Sequence, residues 1–172
     1  MFQPYNIMIN KQALWDIYNR CTYIHNYNSV DEKIFKGANA FIENKDDIKY
    51  IEGNIIKPFG LDKTIVRNEY IGFGNNLGFN FNILRPGGFA NAHYDTNKTK
   101  INILLNKSTQ SPMHWVKSGD SYYYEYPVLV DVSLEHMVKD CHLIKEDRVT
   151  LQIFLTESFD YCKKVIDANR SF

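Results

Sequence analysis

From residue 60 onward, turn-forming residues recur too often for a long helix to fit between them. Gly72-Phe73-Gly74-Asn75-Asn76, Pro86-Gly87-Gly88, Thr96-Asn97 and Ser118-Gly119-Asp120 punctuate the chain, and these residue types each set a backbone turn. Between them lie short runs rich in β-branched and aromatic residues, at 64–71, 79–84, 90–95, 100–105, 113–116, 122–126, 128–132, 136–139 and 149–155. Such runs read as strands. Their even spacing points to a double-sheet jelly roll or a small barrel. The first sixty residues read differently. A strand is predicted over 2–9 and helices over 12–20, 31–42 and 46–56, the first with Leu14, Ile17 and Tyr18 at helical spacing. A final amphipathic helix is predicted over 159–168, burying Tyr161, Val165 and Cys162. The expected class is mainly β with flanking helices (α+β), the N-terminal helices packed on one sheet.

At 172 residues the chain fits a single domain. Its expected parts are a helical N-terminal support (1–60), a β core (61–156) and a C-terminal helix (157–172). Twenty Lys and Arg balance twenty Asp and Glu, which argues against nucleic acid, since binding to phosphate backbones needs an excess of basic groups. Three scattered cysteines, Cys21, Cys141 and Cys162, form neither a disulfide framework nor a zinc motif. No apolar run approaches the roughly 18 residues of a membrane span, and the start has no charged segment followed by an apolar one. A cytoplasmic protein without membrane contact is expected.

The stretch 72–78 resembles a dinucleotide loop but has Leu77 at the third glycine position and no helical run after it. The informative segment is Arg85-Pro86-Gly87-Gly88-Phe89-Ala90-Asn91-Ala92-His93-Tyr94-Asp95. Two positions apart in a strand, His93 and Asp95 share a face. His136, on a later strand, supplies a third ligand type. Two imidazoles and a carboxylate with open positions opposite make the facial site of a non-haem iron(II) centre. By itself, H-x-D is a weak signal, and His25, His114 and His142 read as surface or hydrogen-bonded residues. Twelve positions after His136, Arg148 opens the strand Arg148-Val149-Thr150-Leu151-Gln152-Ile153-Phe154-Leu155. Arg148 and Thr150 share one face of it, as a bidentate carboxylate site requires. The competing reading of Arg148 is a rim ion pair with Glu146 or Asp147. Tyr122-Tyr123-Tyr124-Glu125-Tyr126 and Trp115 read as a hairpin with alternate tyrosines in core and surface, or as the edge of a pocket mouth.

The ordered set Arg85-Pro86-Gly87-Gly88, His93-Tyr94-Asp95, Lys100-Ile101-Asn102-Ile103-Leu104-Leu105-Asn106, His114-Trp115, Pro127-Val128-Leu129-Val130-Asp131, Leu134-Glu135-His136-Met137-Val138 and Arg148-Val149-Thr150 resembles the iron(II)- and 2-oxoglutarate-dependent dioxygenases. The likeness is to small stand-alone members similar to the aspartyl/asparaginyl hydroxylases and prolyl-hydroxylase-like enzymes, and it covers residues 64–156. It implies a double-stranded β-helix (jelly-roll, cupin-like) core. It implies Fe(II) on His93, Asp95 and His136, and 2-oxoglutarate on Arg148 and Thr150, with Asn102 or a nearby lysine (Lys98 or Lys100) assisting. It further implies O2 as oxidant and hydroxylation of a small molecule, amino acid or peptide side chain, with release of succinate and CO2. Glu135 and Asp131 are candidate partners for the outer nitrogens of the ligating histidines. One departure is Lys139-Asp140, where these families often carry Asn after the distal His. The alternatives are a cupin-like metalloprotein of other chemistry and a non-catalytic jelly-roll binding protein.

Overall fold

The computed structural model describes residues 1–21, 23–26, 35–66, 69–70, 75–76, 78–96, 98–106, 111–139 and 145–170. In chain order these form β1 (Phe2–Pro4), α1 (Lys11–Arg20), β2 (Tyr23–Asn26), β3 (Phe35–Lys36), β4 (Ala38–Phe41) and α2 (Lys45–Ile51). A π-helical turn, Glu52–Ile56, and a 3-10 turn, Lys63–Ile65, follow. Then come β5 (Glu69–Tyr70), β6 (Asn75–Asn76), β7 (Phe79–Leu84), β8 (Phe89–His93), β9 (Thr99–Leu104) and β10 (Met113–Trp115). The chain closes with β11 (Ser121–Tyr122), β12 (Val128–Asp131), β13 (His136–Val138), β14 (Arg148–Leu155) and α3 (Phe159–Arg170).

Two antiparallel sheets result. One has the order β1-β12-β9-β14-β7-β4-β2 and the other β11-β10-β13-β8-β3, while β5 and β6 pair separately. From β7 to β10 successive strands alternate between the two sheets, and the same alternation returns from β12 to β14. Strand alternation gives the larger sheet two unlike faces. Its outer face carries Phe79, Phe81, Ile83, Ile101, Ile103, Val149, Leu151 and Ile153, packed with Leu14, Ile17, Ile51, Ile55, Phe59, Cys162 and Ile166 from the helical segments. The inner face meets the smaller sheet. There Leu104, Val128 and Val130 pack with Met113, Trp115 and Tyr122, and Leu84 packs with Phe35, Phe89 and Val138.

The helices that cover the outer face have clear local causes. Asn10 accepts from the Ala13 amide at 3.1 Å, and Asn44 accepts from the amides of Asp46 and Asp47 at 2.8 and 3.3 Å. Such caps satisfy the donors that a helix start leaves open. Arg20 then reaches Asp47 at 2.6 Å and fastens α1 to α2. Among the described residues no helix is long and apolar enough to cross a membrane.

Several elements differ from the sequence expectations. Of the helix predicted over 31–42, residues 31–34 lie outside the described residues and the rest is strand. Ala38–Phe41 pairs with β7, and all four of its residues are buried. A Cβ on Gly37 would collide with the Ile83 carbonyl oxygen, so a bare backbone is what lets the chain pass from one sheet to the other. Tertiary pairing has overridden local propensity there. The expected helix 46–56 begins as α2 and ends as the π-helical turn. Of the strand expected over 64–71, Glu69–Tyr70 is strand (β5), whereas its start is the 3-10 turn capped by Asp62, and Val66 makes an isolated bridge to Leu155. Only Phe2–Pro4 of 2–9 and only Tyr122 of 122–126 are strand. In α3 the buried positions are Cys162 and Ile166, whereas Tyr161 is exposed. Cys141 and His142, and most of the 72–78 turn, lie outside the described residues.

Candidate metal centre

The Arg85-Pro86-Gly87-Gly88 turn delivers β8 to the interior. Gly87 holds a φ of +79°, and a Cβ on Gly88 would lie 2.5 Å from the Lys36 carbonyl, so both positions call for glycine. At the far end of β8, His93 stands opposite His136 of β13, beside a register shift between His136 and Val138. Such irregularities re-aim a side chain next to a site. β8 ends at His93, and Asp95 is fixed instead by its backbone amide donating to the Val132 carbonyl at 3.1 Å.

The three side chains converge. His93 Nε2 lies 3.3 Å from Asp95 Oδ1, His136 Nε2 lies 3.6 Å from Asp95 Oδ2, and ligand-capable atoms of all three residues fall within 4.8 Å of one another. Each imidazole is oriented by a backbone carbonyl. Nδ1 of His93 meets Asn91 O at 2.5 Å and Nδ1 of His136 meets Leu134 O at 2.8 Å, an outer contact typical of metal-ligating histidines. The expected partners Asp131 and Glu135 do not fill that role; the Asp131 carboxylate accepts from Ser133.

Electrostatics set the protonation states. Burial pushes His136 down to about 4, against the pull of Asp95, so it is neutral at pH 7. For His93, burial favours the neutral ring, but the hydrogen bonds to Asp95 and to the Asn91 carbonyl outweigh it and raise the pKa. Burial likewise opposes ionisation of Asp95. Lys100, His93 and His136 prevail, and the carboxyl is held well below the usual carboxylate range. Lys100 Nζ, buried on β9, lies 2.5 Å from Asp95 Oδ2 and 4.8 Å from the centre of the Phe154 ring.

Deeper in the interior lies a second charged group. Arg148 is 2% exposed and donates through Nη1 to Thr150 Oγ1 at 3.2 Å, while its Nε and Nη2 have no partner among the described residues. The rim ion pair with Glu146 or Asp147 is not formed. The Arg148 guanidinium stacks 4.9 Å from the centre of the Tyr124 ring. Tyr124 Oη accepts from Asn102 Nδ2 at 3.2 Å, and Asn102 Oδ1 is buried without a partner. Lys100, Asn102 and Leu104 follow one another on the inner face of β9, and Leu104 stands opposite Thr150. A polar track therefore runs from Asp95 and Lys100, past Asn102 and Tyr124, to Arg148 and Thr150.

Two members of this track hold places that sequence reasoning did not give them: Lys100 was expected only to assist with the co-substrate, and Tyr124 only as core, surface or pocket edge. Lys100 had a signal, a lysine at an inward position of a strand buried on both faces. Tyr124 had none, because its place depends on a φ of +32°, in the left-handed region, in a turn that the tyrosine run does not announce. Trp115, by contrast, is core: it stacks on Phe2 at 5.2 Å and donates to the Asp131 carbonyl.

No family model matches the chain, and no curated protein matches it. Among solved structures, a prolyl-4-hydroxylase from Pseudomonas putida is similar, with a TM-score of 0.52 and 12% identity over 91% of this chain and 93% of that one. The likeness is one of fold. The donor set of His93, Asp95 and His136, two neutral-capable imidazoles and one carboxylate, is one that could hold a divalent metal.

Proposed function

We propose that the protein is an iron(II)- and 2-oxoglutarate-dependent oxygenase, built as one domain on a double-stranded β-helix (jelly-roll) core. The observation that carries this reading is Arg148. A buried, permanently charged fork with two unpartnered donors is costly to keep, and a carboxylate received on both donors removes that cost. Arg148 stands in the same interior as three ligand atoms suited to a metal. An anion long enough to touch both ends of the track, with a carboxylate at the far end, matches 2-oxoglutarate.

On this reading His93, Asp95 and His136 hold the iron, and Arg148 with Thr150 holds the distal carboxylate. Asn102 lines the length between them. When bound, the iron and its co-substrate supply the activation of O2 for oxidation of a substrate C–H bond, with succinate and CO2 as co-products. The chain's own part is placement and protection. The carbonyls of Asn91 and Leu134 fix both ring orientations, and Lys100 offsets the Asp95 charge.

The test is an anaerobic titration with Fe(II) and 2-oxoglutarate, followed by admission of air. A weak visible charge-transfer band should appear in the wild type, and succinate should form once O2 is present. Neither should be seen in His93→Ala or His136→Ala. Succinate output from either variant at the wild-type level would refute the assignment.

A further inference from the structure

The inner face of the larger sheet is unusually rich in carboxamides. Strand register places Asn80, Gln152 and Asn102 in one row across β7, β14 and β9. Asn39 and Asn82 stand side by side in the next row, followed by Thr150. The first row spans two strand spacings, about 10 Å. Within this set Asn82 donates to Asn39 at 3.3 Å. Asn80 is 3% exposed, yet its Oδ1 has no partner, and the same holds for Oδ1 of Asn102. A buried carbonyl without a donor costs about 1–3 kcal/mol, and a sheet face packed only against another sheet would hold apolar residues there. Asn91, on the same face of β8 as His93, is exposed, and Gln152 and Asn82 are half-buried, so solvent reaches part of this face.

We infer that this row is the wall of a substrate subsite for an uncharged, amide-bearing molecule. The charged groups on the inner face of β4, β7, β9 and β14 are Lys100, which is taken by Asp95, and Arg148 at the far end. A free amino acid would bring two charges to a row that has no counter-charge to meet them. A carboxamide or peptide group instead presents a planar donor and acceptor that match the side chains already there. The row meets the track at Asn102 and runs on through Gln152 to Asn80, so an amide bound at the Asn80 end would lie beside the co-substrate. Its place in the reaction rests on the oxygenase reading; its binding does not.

Ligand-detected NMR and calorimetry on the full-length chain test it, with four probes. N-acetyl-trialanine amide represents a peptide, propionamide a small free amide, and alanine and glutamine the charged comparators. At least one uncharged amide should bind and the two amino acids should not; which amide binds tells whether the natural ligand is a peptide or a small molecule. Asn80→Leu and Gln152→Leu should each weaken that binding about tenfold, while Co(II) affinity stays at the wild-type value and shows an intact site. Binding of alanine or glutamine in preference to the amides would overturn the inference. So would wild-type amide binding in both leucine variants, or no amide binding at all. Failure of Co(II) to bind the wild type would instead sink the metal-centre reading and leave the amide result standing.

Discussion

Arg148 is where stability and function oppose each other. Among the described residues its Nε and Nη2 are buried without partners, and the Thr150 hydroxyl and the Tyr124 ring face it. Replacing it with a long apolar side chain removes an uncompensated charge. Arg148→Met should therefore raise the stability of the ligand-free protein by about 1–4 kcal/mol in chemical denaturation, while abolishing the thermal shift that the proposed function predicts for 2-oxoglutarate with the wild type. Lys100 behaves in the opposite way. Lys100→Met leaves Asp95 buried without its closest cation, at a cost of about 3–5 kcal/mol to the metal-free protein. Because the substitution also removes a positive charge beside the ligand carboxylate, divalent metal should bind more tightly and recover part of that loss. Calorimetric titration with Mn(II) at two salt concentrations would read it. The two histidines predict the pH dependence. Metal ligation needs neutral rings, so as pH falls affinity is lost first through His93, whose pKa is raised, and only near 4 through His136. Binding near neutral pH should release protons from His93 and none from His136, which calorimetry in buffers of different ionisation enthalpy would count. Linkage gives the metal-free protein the same asymmetry. The lowered pKa of His136 weakens the fold as pH drops from about 6.5 toward about 4, because the unfolded chain takes up the proton first. The raised pKa of His93 contributes stability at low pH that fades as pH rises through it.

At the scale of elements, the turn before β8 decides where His93 arrives. A Cβ at Gly88 would meet the Lys36 and Arg85 carbonyls at 2.5 and 2.8 Å, and neither is a flexible side-chain end. Gly88→Ala should destabilise the protein by about 1–3 kcal/mol and lower metal affinity, whereas Gly53→Ala, with nothing near its Cβ, should do neither. Thermal melts with and without Mn(II) would separate them. The same region shows why some elements were legible in the sequence and others were not. β7, β9 and β14 announce themselves by apolar runs between turn residues, and α1 by its spacing and the Asn10 cap. β3 and β4 do not. Phe35-Lys36-Gly37-Ala38-Asn39-Ala40-Phe41 has no strand signal of its own and is extended because β7 and β8 present edges to it. The site divides likewise. His93, Asp95 and His136 were readable only as an ordered set with Arg148 and Thr150, since H-x-D alone is a weak signal, and Arg148 because a guanidinium opening an apolar strand demands a partner. Asn80 and Gln152 were not, since an amide's meaning depends on which strand lies beside it.

For the whole molecule, the two sheets and the helical layer enclose separate interiors, one apolar and one polar. Ligands bind only the folded interior, so Mn(II) and 2-oxoglutarate together should act on global unfolding. At a hundredfold excess over the dissociation constant a single ligand adds about 2.7 kcal/mol, which for a chain of this size is a rise in Tm of about 5–10 °C. His136→Ala should lose the metal part of that rise and Arg148→Met the co-substrate part. Both interiors meet in β14, whose even-numbered residues look into the polar space and whose odd-numbered residues fill the apolar one. Slipping that strand by a single position would exchange Arg148 and Thr150 for Val149 and Leu151, and would bury a guanidinium under the helices. Insertions in the outlying loops can therefore accumulate and change what the cleft accepts, but the count of residues along this one ribbon cannot drift. Descendants of such a chain would vary at their margins around an invariant central length.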